Sequence, residues 1–403
     1  MSAKSLLFSG ICLLLLSVGC QNSSSYLTEA EQLAAEIKQS FAPDKRVALW
    51  QIEATDKKGQ IVVSGQTNLP AAKTAFLEKL TEADISVTDS IEVLPNASLG
   101  DQTYGIVNVS VCNIRSKSGH SQELATQSLL GTPIKVLDRH KEWFLVQTPD
   151  KYIAWLDHGG FVQVNQNEYR EWISAPKVIY TRDFGFSYEK ADVNSQKITD
   201  LVAGNMLKSV GKEGNFLKVE YPDGRTAFVP KRETLNYDSW LVDNQPDAND
   251  ILTTAREYLG RPYLWGGTSG KGMDCSGFTK TVFYLNGVQL ARDASQQVHT
   301  GQLVETDETL KNTLPGDLLF FGRKATAEQK ERITHVGIYM GKGEFIHASG
   351  DAGVKIESLV PDAPNFNKKR LDTFVKAKRI LSSLGQNGVD ILADLPSYNP
   401  SKL

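Results

Sequence analysis

The spacing of apolar positions in the first hundred residues alternates between helical and strand-like periods. Apolar side chains first recur every three or four positions, which predicts an amphipathic helix. These side chains are Leu27, Ala30, Leu33, Ala34 and Ile37. Alternating runs follow at 47–52 and 60–63, a helical period returns at 70–81, and a strand-like run covers 85–93. The segment 26–99 is therefore predicted to be a small α/β module with the order α-β-β-α-β.

Short alternating runs separated by turn residues continue as far as position 242. The first series predicts strands at 106–111, 134–137, 143–147 and 152–156. A second, more divergent series follows it. Because short strands with regular turns favour closed or nearly closed sheets, we predict two tandem β-barrels, over 101–166 and 169–242.

A helical period returns after the polar segment 243–250. The pattern predicts a helix over 251–259 and a buried helix that begins at Cys275 and ends before Gly287. Two strands, 335–340 and 344–348, flank a glycine turn and predict a hairpin. The final domain is predicted to cover 251–381, and the last residues, 382–403, to form a peripheral tail.

The register of this hairpin decides which side chains share a face. If Met340 opposes Glu344, then Tyr339 faces Phe345 and Gly337 faces His347. His335 and His347 then become diagonal neighbours on the same face of the sheet.

Composition and charge narrow the function classes. The chain has 403 residues, which at about 150 residues per domain indicates several domains. Its 40% apolar and 23% charged residues are ordinary for globular proteins, and a net charge of -3 gives no general attraction for nucleic acid. Nucleic acid is therefore not an expected partner.

The N-terminus has the anatomy of an export signal. Lys4 precedes an apolar run, Leu6 to Gly19, whose 14 residues are too few to span a bilayer permanently. The run ends in Leu16-Ser17-Val18-Gly19-Cys20, which resembles a bacterial lipoprotein processing site except that Ser17 stands where leucine is usual. This resemblance implies a signal peptide at 1–19, lipidation of Cys20, a tether over 20–25 and attachment to a bacterial membrane, facing the periplasm. Plain secretion with Cys20 unmodified is the alternative.

The cysteines do not form a disulfide framework. Cys12 would leave with the signal and Cys20 would carry lipid, so that Cys112 and Cys275 remain in the mature protein. A disulfide scaffold needs more cysteines in a shorter chain. Cys112 lies in an alternating run and is predicted to be a small strand side chain.

Cys275, His335 and His347 together have the composition of a nucleophilic catalytic site. A thiol attacks a carbonyl as thiolate, and a helix N-terminus and a nearby imidazole both favour that form. We expect Cys275 to be ionised at neutral pH, with His335 as its base and His347 orienting the base, as in catalytic triads. The expected chemistry is acyl transfer through a thioester.

Three alternatives use the same residues. A Cys-His-His set binds zinc in some proteins, but a structural site needs four ligands, so neither a metal nor another cofactor is expected. A protein that only binds peptide, with a vestigial catalytic domain, and an acyltransferase with an acceptor other than water are the other two.

Four motifs in order resemble the NlpC family of papain-like cell-wall cysteine peptidases. They are Arg261-Pro262-Tyr263-Leu264-Trp265-Gly266-Gly267, Met273-Asp274-Cys275-Ser276-Gly277-Phe278, Leu314-Pro315-Gly316-Asp317-Leu318-Leu319-Phe320-Phe321 and His335-Val336-Gly337-Ile338-Tyr339. The barrels resemble bacterial SH3-like domains, and 26–99 weakly resembles BON modules. The fold class implied is multidomain α+β: a small α/β module, two SH3-like β-barrels and a papain-like α+β domain with an antiparallel sheet.

The same resemblance implies a substrate and the residues that bind it. Enzymes of this arrangement cut the γ-D-glutamyl to L-diamino acid bond of murein stem peptides, in peptide recycling or turnover. It assigns the free amine of an N-terminal L-Ala to Asp274, Ser276 and Tyr152, with Glu123 as the acidic residue of the first barrel. For Asp274 a helix N-cap is the alternative role.

Further side chains are assigned by motif position. Arg292, assisted by Ser295, is expected to bind the α-carboxylate of D-Glu, for which a planar guanidinium is suited; an exposed surface arginine is the alternative. Tyr263 and the Cys275 N–H are expected to stabilise the oxyanion. Trp265 is either a core aromatic or a wall of the pocket.

Overall fold

The computed structural model describes residues 18–403, with side chains from residue 24 onward. It divides into two compact units, one ending at Ser98 and one running from Leu99 to Leu403. The expected signal peptide and the side chain of Cys20 lie outside the described residues. Among the helices that the structure describes, none is both long and apolar enough to cross a membrane.

The first unit has the predicted α-β-β-α-β order. Its elements are α1 (Val18–Phe41), β1 (Trp50–Lys57), β2 (Gln60–Thr67), α2 (Pro70–Glu82) and β3 (Val87–Val93). β2 lies in the middle of the sheet, antiparallel to β1 and parallel to β3. Ala30, Val63 and Phe76 are fully buried in its core. The backbone of 20–25, predicted as a tether, belongs to α1.

The first barrel opens the second unit and is called barrel 1. Its strands are β4 (Tyr104–Val107), β5 (Val111–Arg115), β6 (Leu124–Leu129), β7 (Pro133–His140), β8 (Trp143–Gln147), β9 (Ile153–Asp157) and β10 (Phe161–Val164). They pair in the order β10-β4-β7-β8-β9-β5-β6. Cys112 is a buried strand residue of this core, and burial raises the pKa of its thiol. α3 (Gln166–Ser174) follows and occupies both sides of the predicted division at 166–169.

The second barrel, barrel 2, repeats the pattern. Its elements are β11 (Lys177–Tyr180), β12 (Gly185–Tyr188), β13 (Lys197–Leu201), β14 (Met206–Glu213), β15 (Phe216–Glu220), β16 (Thr226–Pro230), β17 (Thr234–Asn236) and α4 (Tyr237–Asp243). The strand order is β13-β12-β16-β15-β14-β11-β17.

The C-terminal domain packs helices against an antiparallel sheet. Its helices are α5 (Ala248–Glu257), α6 (Cys275–Leu285), α7 (Ala294–Gln297) and α8 (Lys368–Asp372), and its short outer strands are β18 (Thr268–Ser269), β19 (Gly272–Met273), β20 (Val288–Gln289) and β27 (Asp390–Ile391). The central sheet contains β21 (Gln302–Val304), β22 (Leu318–Arg323), β23 (Arg332–Gly341), β24 (Glu344–Ser349), β25 (Gly353–Ser358) and β26 (Phe374–Arg379), in the order β21-β26-β22-β23-β24-β25. Phe278 and Val282 of α6 are fully buried with Phe320, Ile338 and Ile346 of the sheet. Short 3-10 turns lie at Ala97–Leu99, His158–Gly160, Lys231–Glu233, Leu381–Ser383, Leu392–Asp394 and Pro400–Lys402.

The last residues are not a peripheral tail, contrary to the sequence-based expectation. β27 pairs with β20, Leu392 is fully buried and Tyr398 is 4% exposed. The hydroxyl of Tyr237 donates to the carbonyl of Tyr398 at 2.9 Å. The apolar side chains of this segment are buried because they pack on a surface that the barrels share with the C-terminal domain.

Candidate active site

Cys275 is the first residue of the buried helix α6. Asp274 precedes it as N-cap and accepts the backbone N–H of Gly277 at 2.7 Å. The backbone N–H groups of Val336 and Ser276 hydrogen-bond to the sulfur. Since Val336 follows His335 directly, this contact joins the start of α6 to the histidine strand β23.

The surroundings of Cys275 disfavour the thiolate that the sequence predicts. Burial raises the pKa of Cys275 to about 11, with a further contribution from the carboxylate of Asp274, and the two N–H groups and Arg292 oppose this only in part. Burial also lowers the pKa of His335 well below its usual value, as does the neighbouring His347. Both shifts favour a neutral thiol and a neutral imidazole, with the proton moving during attack.

His335 and His347 lie within hydrogen-bond distance of each other. His335 Nε2 is 2.7 Å from His347 Nδ1, and the ring planes are nearly perpendicular, at 87°. The hairpin pairs Tyr339 with Phe345 as predicted, but a bulge places Gly341, instead of Met340, opposite Glu344. The shared face of the histidines survives, because the bulge lies beyond the Tyr339–Phe345 pair.

Glu357 is the third residue in this row of side chains. The sequence motifs did not predict it. Its Oε2 lies 3.0 Å from His347 Nε2 and accepts Nδ2 of Asn367 at 2.6 Å, while Oε1 lies 2.6 Å from Lys355 Nζ. Burial would raise the pKa of Glu357, but the hydrogen bonds from His347 and Lys355 outweigh it and lower the pKa to about 2. Extending the predicted hairpin by β25 would have found it, since His347 pairs with Lys355 and Phe345 with Glu357.

The ionised Glu357 determines the tautomers of both rings. A carboxylate only accepts hydrogen bonds, so His347 must carry its proton on Nε2 and accept at Nδ1. His335 then donates from Nε2, which leaves its Nδ1 without a proton. Nδ1 is thus the nitrogen able to take the thiol proton. Both nitrogens of His347 are occupied, so its ring has no lone pair left for a metal. Among the described residues, no group of three His, Cys, Asp or Glu side chains is arranged to hold a metal.

Asp274, Ser276 and Arg292, which are predicted to bind substrate, form hydrogen bonds with one another. Arg292 is 1% exposed and forms a two-point ion pair with Asp274, at 2.6 and 3.1 Å. Arg292 also donates to Ser276 Oγ at 3.0 Å. The N–H of Gly266 donates to Oδ2 of Asp274 at 2.9 Å. These groups satisfy one another inside the domain. The ion pair also explains how a carboxylate is tolerated beside the nucleophile.

Tyr263 remains placed for its expected role. It bridges to Met273, two residues before Cys275, and burial raises the pKa of its phenol, with a further contribution from the carboxylate of Asp274. The hydroxyl therefore stays protonated and can donate to an oxyanion.

Barrel 1 packs directly on the loop that contains Tyr263 and Trp265. A Cβ at Gly266, whose φ is +81°, would lie 2.2 Å from the carbonyl oxygen of Leu124 in barrel 1, so only glycine permits this approach. Gln127 accepts the N–H of Thr268 at 2.9 Å. Barrel 1 is therefore fixed against the loop.

This packing brings a carboxylate of barrel 1 to the loop that contains Tyr263 and Trp265. Trp265 is 63% exposed, so it is not a core aromatic, and its Nε1 donates to Glu123 Oε1 at 2.7 Å. Tyr152 of barrel 1 lies close enough to Arg292 for an electrostatic interaction. Ser295 is half-buried in α7. Glu123 and Trp265 are thus in contact across the two domains.

Comparisons with known proteins agree with this site. The NlpC/P60 family model matches residues 260–371, and the model of the bacterial dipeptidyl-peptidase Sh3 domain matches 114–169. A gamma-D-glutamyl-L-lysine dipeptidyl-peptidase of Bacillus subtilis is 34% identical over 59% of this chain and 75% of its own length. One from Bacillus cereus is 29% identical over 65% of this chain and 77% of its own length.

A solved structure extends the agreement to the fold. The crystal structure of an NlpC/P60 family protein from Bacillus cereus aligns with a TM-score of 0.59 and 24% identity, covering 69% of this chain and all of that one. With the antiparallel sheets observed, it confirms the predicted multidomain α+β class. The chain therefore belongs to the NlpC/P60 family of cysteine peptidases.

Proposed function

We propose that this peptidase hydrolyses the γ-D-glutamyl to L-diamino acid bond of murein peptides whose N-terminal L-Ala amine is free. The names of the Bacillus relatives support the bond and the peptide class. Cys275 is the proposed nucleophile, His335 its base and His347 the residue that orients the base. Two neutral partners that exchange a proton during attack fit a general-base mechanism.

The reaction follows from the tautomers. His335 Nδ1 accepts the thiol proton as the sulfur attacks the γ-carbonyl, and the charge of the resulting imidazolium is balanced through His347 by Glu357. The N–H of Cys275 and the Tyr263 hydroxyl donate to the oxyanion. His335 then protonates the leaving amine, and water hydrolyses the thioester by the reverse proton path.

The hydrogen bond between Trp265 and Glu123 is the observation that carries the amine requirement. Through it, an exposed carboxylate of barrel 1 contacts the loop that precedes Cys275 in the chain. A carboxylate accepts several hydrogen bonds, so Glu123 can hold Trp265 and an ammonium group together. An N-acylated or wall-linked peptide has no such charge, which favours small turnover fragments as substrates and a role in recycling.

Two peptides test this proposal. Purified protein is incubated with L-Ala-γ-D-Glu-L-Lys and with its N-acetyl form, and release of lysine is measured. We expect kcat/KM to be about 100-fold lower for the acetylated peptide, the size of a lost charge-assisted hydrogen bond at a partly buried site. The variant Glu123→Gln should lose most of this preference, whereas Glu142→Gln, an exposed residue elsewhere in barrel 1, should keep it. Equal cleavage of both peptides by the wild type would exclude amine recognition.

Attachment to a membrane through lipid on Cys20 is a separate proposal. It is supported by the export signal and processing site in the sequence. Expression in a bacterial host with labelled palmitate should give labelled protein in the membrane fraction, and Cys20→Ser should remove the label. Unlabelled wild-type protein in the soluble fraction would favour plain secretion instead.

A further inference from the structure

Arg370 lies beside the two histidines and was not singled out by any sequence motif. Its backbone N–H is capped by Oδ1 of Asn367 at 3.0 Å, and Nδ2 of Asn367 donates to Glu357. The first turn of α8 is thus tied to the carboxylate that holds His347. The guanidinium carbon lies 5.6 Å from the ring centroid of Phe321, whose ring is 5.8 Å from that of His335.

The guanidinium of Arg370 has no carboxylate partner in the part of the chain that the structure describes. The two nearby acids are engaged elsewhere: Glu357 with His347, Lys355 and Asn367, and Asp351 with Lys355 at 3.0 Å. Buried or half-buried arginines elsewhere in this domain are paired, Arg292 with Asp274 and Arg379 with Asp317. Arg370 differs from them because it is half-buried and stacks on Phe321, but no carboxylate among the described residues neutralises its charge.

The surroundings of Arg370 disfavour its charge. Burial lowers its pKa, and the carboxylates of Glu357 and Asp351 oppose this only in part. A guanidinium nevertheless stays protonated at neutral pH. A half-buried cation near a nucleophile, without an ion-pair partner, is typical of a site that completes itself with a ligand anion.

The position of Arg370 indicates which part of the substrate it meets. In a thiol peptidase the catalytic imidazole protonates the leaving amine, so the leaving residue departs on the side of the histidines. Arg370 belongs to that side through Phe321 and His335. The proposed amine site lies instead with barrel 1, at Glu123 and Trp265.

We infer that Arg370 binds a free carboxylate of the leaving diamino acid residue. This inference rests on the proposed function and deepens it. A guanidinium matches a carboxylate with two parallel hydrogen bonds, and stacking on Phe321 holds its plane. The enzyme would then require a free amine at one end of the peptide and a free carboxylate on the residue that it releases, which restricts it to short fragments.

Peptide amides test the inference directly. The substrates are L-Ala-γ-D-Glu-L-Lys, the same peptide with a C-terminal carboxamide, and the peptide with an α-amide on D-Glu. For the wild type we expect kcat/KM to be about 10-fold lower on the C-terminal carboxamide, the size of one charged hydrogen-bond pair at a half-exposed site. Arg370→Gln should cleave the acid and the C-terminal carboxamide at equal, reduced rates. Lys368→Gln, on the exposed side of the same helix, should retain the wild-type preference.

The outcomes separate the inference from the proposed function. If the wild type cleaves no tripeptide, the proposed function fails and the inference with it. If the wild type cleaves the acid and the C-terminal carboxamide equally, or if Arg370→Gln keeps the preference, only the inference is overturned. Loss of discrimination against the D-Glu α-amide in Arg370→Gln would move the carboxylate to the other side of the scissile bond and overturn the assignment to the leaving residue. Thermal unfolding of each variant confirms that the rates refer to folded protein.

Discussion

Nε2 of His347 lies 3.0 Å from Oε2 of Glu357, and this contact decides where the protons of the histidine pair reside. The carboxylate of Glu357 is held in turn by Lys355 and Asn367. The protonation of His335, the base of the reaction, therefore depends on Glu357, which is separated from the sulfur by His335 and His347.

Glu357→Gln should impair catalysis without removing the nucleophile. A glutamine amide can donate to His347 Nε2. The proton of His347 then moves to Nδ1 and that of His335 to Nδ1, so His335 can no longer accept the thiol proton there. We expect kcat to fall about 100-fold or more, as for other losses of a correctly protonated base. Steady-state kinetics between pH 6 and pH 9 measure this.

The matched control for Glu357 is Glu344→Gln in the neighbouring strand β24. Glu344 contacts Asn365 and no catalytic side chain. Its variant should behave as wild type. A Glu357→Gln enzyme with unchanged kcat and an unchanged pH profile would show that Glu357 is only structural.

Alkylation of Cys275 should be slow at neutral pH. Its pKa is raised from 9.0 to about 11, so the thiolate fraction falls about tenfold for each pH unit below that value. The rate of iodoacetamide labelling, followed by mass spectrometry of the peptide containing Cys275, should rise steadily from pH 7 towards pH 11. Cys112 serves as a buried control and should be labelled only on unfolding.

A labelling rate that reaches its plateau below pH 8 would contradict this prediction. Such a plateau would indicate a resting thiolate-imidazolium pair, as first expected from the sequence. Cys275→Ala should abolish turnover and retain peptide binding, which distinguishes the enzyme from a binding protein.

Arg292→Met should destabilise the protein. Removal of one partner from a buried ion pair leaves Asp274 charged and uncompensated, at a cost of about 3–5 kcal/mol in the free energy of unfolding. Calorimetric unfolding measures this, with Arg323→Met, an exposed residue of β22, as control. The double variant Asp274→Asn/Arg292→Met should recover part of the loss. Unchanged stability together with a raised KM would restore the substrate role that the sequence predicted for Arg292.

Leu392→Ala should show that the last residues are structural. Leu392 is fully buried in a cluster with Tyr237, Tyr284 and Tyr398. Truncation of such a side chain costs about 2–5 kcal/mol. Urea unfolding measures the difference against Leu403→Ala, whose side chain is 47% exposed. Equal stabilities would support a dispensable tail.

Local sequence patterns specify the helices and strands and identify the reacting groups. Local spacing depends on one helix or strand at a time, so periodicity predicted the start of α6 at Cys275, the hairpin that brings His335 to His347 and the strand-rich composition of both barrels. The motif around Cys275 likewise indicated a cysteine peptidase, because its residue types and their order carry the chemistry.

Which charged side chains form ion pairs depends on the tertiary structure. Asp274 and Arg292 are 18 residues apart, and their ion pair arises from the packing of separate segments. Burial on all sides then raises the pKa of Cys275 and lowers that of His335, which no local pattern reveals. Glu357, Arg370 and the contact of Glu123 with Trp265 have the same origin: their roles come from distances across strands and domains, whereas a sequence records only neighbours along the chain.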